Sequence, residues 1–352
     1  MFGELKGVLN HPGRQVNIDL LRACAVLAVV FFHFNVILPY GYLGVDLFFV
    51  ISGYLVGGVL MRDHLSGEKL RFGAFVLKRA FKIWPSYYVF LLLGFLLSNW
   101  LFTGDFEAQK LHWSELPRYA FWYRNFTGFP IHFSFDHVWS LCIEEHFYIL
   151  LPCLFLILGL FKPNDKLLIW SLVLTILSAL ASKCIMLTMT HSKDTYAMTF
   201  NRLDTFAWGI LAAYLQFRGK WLIRDKGTAI GLFGIGVAGI ATVIYLNEVN
   251  AIPYFKALVM HSVMPVFVFC LIWATLPLKN KPWLIPFRII GYYSYNWYLW
   301  NPITAMFCMQ FLGKSWWSFL TYFLISALLA VFFTEFVEAY FLKVRDRLLR
   351  KE

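Results

Sequence analysis

Residues 17–34 read NIDLLRACAVLAVVFFHF, an apolar run long enough to cross a membrane as a helix. The run carries two ionisable side chains, Arg22 near its start and His33 near its end. An ionisable group in hydrocarbon costs about 2.5 kcal/mol or more, so such groups usually face a protein interior or a water-filled cavity. Eleven residues of helix put the two on one face, about 16 Å apart along the axis. The sequence therefore predicts a polar stripe along the first membrane helix.

The composition of the whole chain supports a membrane protein. The 352 residues are 60% hydrophobic and 14% charged, whereas soluble domains are roughly 45–50% apolar and 25% charged. We therefore predict an all-α, polytopic membrane protein with about ten transmembrane helices, in which residues 1–352 form a single transmembrane domain without an appended soluble domain. The predicted spans are 16–35, 43–61, 84–103, 137–160, 167–189, 197–216, 228–246, 256–277, 287–311 and 317–341.

The distribution of positive charge predicts the orientation. Most of the 31 lysines and arginines fall in segments that are cytoplasmic if both termini are inside, which predicts an N-in/C-in protein of the inner (plasma) membrane. Anionic lipid neutralises such flanks, so the net charge of +11 gives no reason to expect a nucleic-acid partner. The six cysteines lack the paired spacing of a metal site or disulfide framework, and we expect no bound metal.

The second predicted span begins with GVDLFF and places Asp46 just inside the membrane. In an antiparallel helix pair, Asp46 would lie at about the depth of His33. A carboxylate there would orient the imidazole and raise its basicity, as a general base requires. Without such a partner, His33 would simply lie at the outer interface.

A basic cluster, Lys78, Arg79 and Lys82, precedes the third predicted span. Lys78 and Lys82 share one helix face at i, i+4, and Arg79 lies beside them. One interpretation is a cytoplasmic flank that binds lipid phosphates. The other is a clamp for the phosphates of a nucleotide-bearing donor.

Adjacent carboxylates, Glu144 and Glu145, lie inside the fourth predicted span. Adjacent helical residues diverge by 100°, so we expect only one of them to face a cavity. Buried carboxylates near other ionisable groups are typical of proton chemistry. Structural pairing with Arg202 or Arg22 explains them equally well.

Other polar or aromatic residues occur in three spans. Arg202 and Asp204 enter the sixth span near its outer end, and Ser294 and Tyr298 lie on one helical stripe of the ninth. We expect these four side chains and Trp139 of the fourth span to line an acceptor site or to hold helices together.

These features together resemble the acyltransferase 3 family of integral membrane O-acyltransferases. The resemblance runs from Asp19 to about Ile303 and rests on six elements in order. They are Arg22 followed by His33, GVDLFFVISGYL at 44–55, the basic residues at 78–82 followed by IWPSYY, HVWSLCIEEHFY at 137–148, NRLDTFAWG at 201–209, and YSYNWYLWNP at 293–302.

The resemblance implies transfer of an acetyl or other short acyl group to a hydroxyl of a carbohydrate, such as lipopolysaccharide O-antigen. It implies acyl-CoA, typically acetyl-CoA, as the co-substrate. It also implies that Arg22 and His33 are essential, that Arg79 and Lys82 belong to a donor-binding motif, and that the paired glutamates are a family motif.

The chain departs from the family pattern at three positions. Lys82 stands where arginine is usual, and His146 where glutamine is usual. Asn301 stands where histidine is common, and we therefore assign it no catalytic role.

The intramembrane polar residues and the family resemblance are both consistent with one mechanism. Acyl-CoA would bind from the cytoplasm, with its phosphates at the basic cluster and Arg22 deeper in. His33, held by Asp46 or a glutamate, would deprotonate the hydroxyl of a lipid-linked sugar or transiently carry the acyl group.

An alternative is a proton-coupled transporter or flippase of a lipid-linked or anionic substrate, which also uses intramembrane charges. That class predicts paired interrupted helices in two halves, and the sequence shows no such symmetry.

Overall fold

The computed structural model describes residues 14–34, 38–68, 71–127, 132–160, 164–190, 196–219, 223, 225–249 and 254–349. Every regular element within these ranges is helical, which confirms the all-α prediction. The α-helices are α1 Val16–His33, α2 Gly44–Ser52, α3 Gly58–Leu65, α4 Phe72–Leu101, α5 Leu116–Ala120, α6 Phe133–Asp136, α7 Val138–Leu158, α8 Asp165–Thr190, α9 Leu203–Phe217, α10 Lys226–Glu248, α11 His261–Thr275, α12 Ile285–Leu312, α13 Trp316–Phe332 and α14 Ala339–Leu349.

Three wider, π-helical segments interrupt or extend these helices. Gly53–Gly57 joins α2 to α3, Lys256–Met260 leads into α11, and Phe333–Glu338 joins α13 to α14. Such segments re-aim side chains and are frequent at functional sites. Residues of the first two line the cavities described below, and Glu338 of the third pairs with a lysine that lines one of them.

Eight helical segments of the described chain are long and apolar enough to cross a membrane. They are Val16–His33, Gly41–Leu65, Phe72–Leu101, Phe133–Leu158, Asp165–Met189, Lys226–Glu248, Lys256–Thr275 and Trp316–Leu349. The protein is therefore a polytopic, multi-pass membrane protein, as the composition predicts.

The other two predicted spans coincide with helices of a different character. α9 has only 15 residues, about 22 Å of helix, and follows the short turn Thr199–Arg202. α12 has 28 residues but carries many polar side chains, because it packs among other helices instead of facing lipid. The count of ten spans and the N-in/C-in orientation therefore remain predictions.

α12 occupies the centre of the helix bundle. It packs against α1 and against α13, and residues 296–306 are all buried. By contrast, only 17% and 11% of the most apolar stretches of α8 and α10 are buried. Exposed apolar side chains on these two helices suit a lipid surface, so the polar centre of the bundle is shielded from lipid.

α2 and α9 cross with their backbones in direct contact. A Cβ atom at Gly209 would lie 2.1 Å from the carbonyl oxygen of Val50, and one at Gly53 would lie 2.2 Å from that of Phe206. Only glycine allows helices to approach this closely. The crossing brings Asp46 on α2 next to Arg202 at the start of α9.

Replacing Gly209 with alanine should destabilise the protein by about 1–3 kcal/mol, because the added methyl group overlaps the Val50 carbonyl. The matched control is Gly231→Ala on α10, where a Cβ meets no atom within 4 Å. Thermal unfolding in detergent should show a lower Tm for Gly209→Ala and an equal or higher Tm for Gly231→Ala. An unchanged Tm for Gly209→Ala would contradict the observed crossing.

Candidate active site

A cavity of about 100 Å³ lies between α1, α2, α4, α7 and α12. We call it the basic cavity, because three cationic side chains point into it. Its polar lining consists of Arg22, Ser52, Arg79, Lys82, Ser140, Glu144, Tyr148, Ser294, Tyr295 and Tyr298.

Two guanidinium groups provide most of the free positive charge of the basic cavity. Arg22 Nε donates a hydrogen bond to Ser294 Oγ at 3.1 Å. The Arg79 guanidinium lies over the Tyr148 ring, 5.7 Å from its centroid. Among the described residues, neither group forms an ion pair with a carboxylate within 4 Å. Both are therefore available to an anionic ligand.

Asp19, the carboxylate closest to Arg22 in the sequence, does not form an ion pair with it in the described chain. Asp19 forms ion pairs with Arg14 at 2.7 Å and with Arg288 at 3.3 Å. These pairs tie the start of α1 to the start of α12. The guanidinium of Arg22 consequently faces the basic cavity, as the predicted polar stripe requires.

The structure divides the predicted basic cluster. Lys82 lines the cavity but forms an ion pair with Glu338, which also accepts a hydrogen bond from Asn296 Nδ2 at 3.2 Å. Lys78 is exposed and does not line the cavity. The three cations therefore do not line one cavity together, and Arg79 is the member of the cluster that lines it without an ion pair to a carboxylate within 4 Å in the described residues. Their binding of donor phosphates stays a prediction.

Glu144, and not Glu145, faces the basic cavity. Its carboxylate accepts hydrogen bonds from Ser52 at 3.2 Å and from Tyr148 at 3.1 Å. Glu145 turns away and accepts a hydrogen bond from Trp84 Nε1 at 3.0 Å. The prediction that one of the two adjacent glutamates faces a cavity agrees with this arrangement.

A second cavity, of about 400 Å³, contains His33. We call it the histidine cavity. Its walls are largely aromatic, with the Trp139 and Tyr196 ring centroids 4.7 Å apart. Its lining consists of Val29, Phe32, His33, Tyr42, Val45, Asp136, His137, Trp139, Tyr196, Lys256 and Tyr298. The volume falls within the roughly 300–1,000 Å³ of ligand-binding pockets.

The prediction that Asp46 orients His33 is wrong. Asp46 forms a fully buried ion pair with Arg202 and accepts a hydrogen bond from the Tyr196 hydroxyl at 3.3 Å. A buried carboxylate gains more from a permanently charged guanidinium than from an imidazole. The polar side chains around His33 instead include that of Asn301, to which the sequence assigns no role.

Arg202 and Asp204 line neither cavity. Asp204 forms a buried ion pair with Lys183 at 2.6 Å, and Lys183 also donates a hydrogen bond to Ser262 at 2.7 Å. Together with the Asp46–Arg202 pair, these contacts join α2, α8, α9 and α11. Of the two roles predicted for Arg202 and Asp204, the structure supports the structural one.

Sequence reasoning gives little weight to His137, which it places at the membrane interface. His137 lies opposite His33, with ring centroids 6.4 Å apart, and both of its ring nitrogens are buried without a hydrogen-bond partner in the described chain. Sequence reasoning also does not predict that Lys183 is paired within the bundle. An isolated lysine within an apolar run was the available signal for a buried pair.

A single layer of side chains separates the two cavities. Val45 and Tyr298 line both of them. The polar stripe of α1 is therefore divided, with Arg22 in the basic cavity and His33 in the histidine cavity. Ser294 and Trp139 lie on opposite sides of this division, in the basic and histidine cavities respectively.

Comparisons with known proteins identify relatives of this chain. Peptidoglycan O-acetyltransferase OatA of Listeria monocytogenes is 28% identical over 313 residues, which are 82% of this chain and 49% of the relative. O-acetyltransferase OatA of Staphylococcus aureus is 28% identical over 317 residues, 82% of this chain and 50% of the relative. The chain thus spans about half the length of the curated relatives it matches. No solved structure matches it significantly.

The family comparison covers nearly the whole membrane bundle. A family model described as an acyltransferase domain matches residues 15–335, from the residue before α1 to the π-helical segment after α13. Arg22, His33 and both cavities lie within this range. The chain therefore belongs to the acyltransferase 3 family.

Proposed function

We propose that the chain transfers an acetyl or other short acyl group from acyl-CoA, in the simplest case acetyl-CoA, to a hydroxyl of a cell-surface carbohydrate. One observation carries the proposal: a basic cavity and an imidazole-containing cavity lie back to back in a membrane bundle of this family. Family membership also favours a transferase over the transporter alternative.

The basic cavity would receive the donor. Coenzyme A carries phosphates, and Arg22 and Arg79 supply charges that are not used by internal ion pairs of the described residues. Arginine forms strong, directional hydrogen bonds with phosphate and other oxyanions. The N-in/C-in orientation in the inner membrane would open this cavity to cytosolic acyl-CoA.

The histidine cavity would receive the acceptor. His33 would take the proton of a sugar hydroxyl while the hydroxyl oxygen attacks the thioester carbonyl carbon, and CoA would leave as the thiol. General-base assistance of this kind typically contributes about 10²- to 10⁴-fold in rate. A transient acyl-imidazole on His33 would use the same ring as nucleophile.

A glycan on the outer side of the membrane is the acceptor class that we propose. The name of the Listeria relative specifies peptidoglycan, which makes a peptidoglycan or lipid-linked glycan hydroxyl a more direct proposal than lipopolysaccharide O-antigen. The aromatic walls of Trp139 and Tyr196 offer flat surfaces for a sugar ring.

His33→Ala should lower acyl transfer by about 10²-fold or more, because it removes the proposed base or acyl carrier. The measurement is transfer of label from radiolabelled acetyl-CoA to a lipid-linked glycan extract by protein reconstituted in lipid. His112→Ala is the matched control, because His112 is exposed and lies outside both cavities. Undiminished transfer by His33→Ala would remove His33 from the chemistry.

Arg79→Gln should raise KM for acetyl-CoA by about 10- to 100-fold, the effect of losing one charged hydrogen bond. Lys78→Gln removes the neighbouring charge, which is exposed and outside the cavity, and should leave KM nearly unchanged. Initial rates against acetyl-CoA concentration test both variants. Equal effects of the two substitutions would mean that the cluster acts through general surface charge and not through the cavity.

A further inference from the structure

Tyr298 forms the boundary between the two cavities. Its side chain is only 5% exposed. Its hydroxyl donates a hydrogen bond to the His137 carbonyl oxygen at 3.0 Å and lies 2.6 Å from Ser140 Oγ. The ring packs edge-on against Phe48, 5.9 Å between centroids. These contacts fix a bulky ring of α12 against α7 and α2.

The basic cavity ends at this ring and is small. Its volume of about 100 Å³ is below the roughly 150 Å³ of an engineered cavity that holds benzene. A space of this size cannot hold a whole coenzyme A, so the donor's phosphates would meet the guanidinium groups from the mouth of the cavity and only a short acyl end would lie against the ring. Val45 forms the wall beside the Tyr298 ring, so an added methylene on the acyl group would meet close-packed atoms.

We propose that Tyr298, with Val45 beside it, is a septum that limits the length of the transferred acyl group and keeps the two sides of the active site apart. The proposal rests on the proposed function for its acyl substrate. For the acyl carbon to meet a hydroxyl near His33, the ring has to turn out of the wall, which breaks its hydrogen bonds to Ser140 and His137. In its resting position the ring keeps water of the histidine cavity away from the thioester.

The septum itself is tested by thiol accessibility, which does not depend on enzymatic activity. The six native cysteines are first replaced, and a single cysteine is introduced by His33→Cys in the histidine cavity or by Ser52→Cys in the basic cavity. A charged, membrane-impermeant thiol reagent is then added to the cytoplasmic face of proteoliposomes. We expect Ser52→Cys to react, and His33→Cys to react only when Tyr298→Ala is also present.

Tyr298→Phe and Val45→Ala complete this test. Tyr298→Phe keeps the ring and should leave His33→Cys protected, whereas Val45→Ala thins the same wall and should expose it partly. Val45→Ala also decides the question if Tyr298→Ala fails to fold. Rapid labelling of His33→Cys from the cytoplasmic face with Tyr298 and Val45 intact would overturn the septum.

The length limit is tested with acetyl-, butyryl- and hexanoyl-CoA as donors. Tyr298→Leu should raise the ratio of kcat/KM for butyryl-CoA to that for acetyl-CoA by about tenfold or more, the usual effect of relieving a clash with one or two methylenes. Tyr298→Phe should leave the ratio nearly unchanged, because the ring bulk is retained.

The two proposals fail in different ways. An unchanged ratio in an active Tyr298→Leu protein would overturn the length limit while leaving acyl transfer intact. Absence of transfer by the wild type from any acyl-CoA would overturn the proposed function. In that case the thiol result would still decide whether Tyr298 separates the cavities.

Discussion

The free-energy cost of placing an ionisable group in hydrocarbon determines where the charged side chains of this structure lie. Each such group has to be paired within the bundle or face a polar cavity. Arg202 with Asp46, and Lys183 with Asp204, are paired and buried. Arg22 and Arg79 face a cavity without an internal carboxylate partner within 4 Å in the described residues. Sorting the charges in this way separates the residues that hold helices together from those that are free to bind a ligand.

The paired charges also position the free ones. The Asp46–Arg202 pair and the glycine crossing of α2 with α9 fix the first turns of α2, from which Val45 reaches the wall between the cavities. The Lys82–Glu338 pair joins α4 to the π-helical segment after α13. Removing one partner of a fully buried pair such as Asp46–Arg202 typically costs about 3–5 kcal/mol, so that pair constrains the shape of the site strongly.

The periodicity of the α-helix alone predicts part of the site. The eleven-residue spacing of Arg22 and His33 predicts one helical face, and both side chains do line cavities on that face of α1. The all-helical membrane fold follows similarly from composition and the lengths of apolar runs. The short α9 and the polar α12 show where that argument weakens, since a span enclosed by other helices need not be long or apolar.

Rotation about the helix axis and long-range partners could not be predicted. The depth of Asp46 in the membrane predicts that it lies near His33. Depth alone does not determine which neighbouring helix a side chain faces, and Asp46 faces Arg202. The partner of Lys82 lies 256 residues away, at Glu338, in a helix that the sequence describes only as apolar. Asn301 beside His33 could be found only from the packed bundle.

A structure in a lipid nanodisc with a non-hydrolysable acetyl-CoA analogue tests the central claim most directly. We expect the acetyl end to lie in the basic cavity against Tyr298, with the phosphates of the analogue nearest to Arg22 and Arg79 and with His33 on the far side of the ring. An analogue bound outside the basic cavity, or a His33 ring turned into lipid, would contradict it.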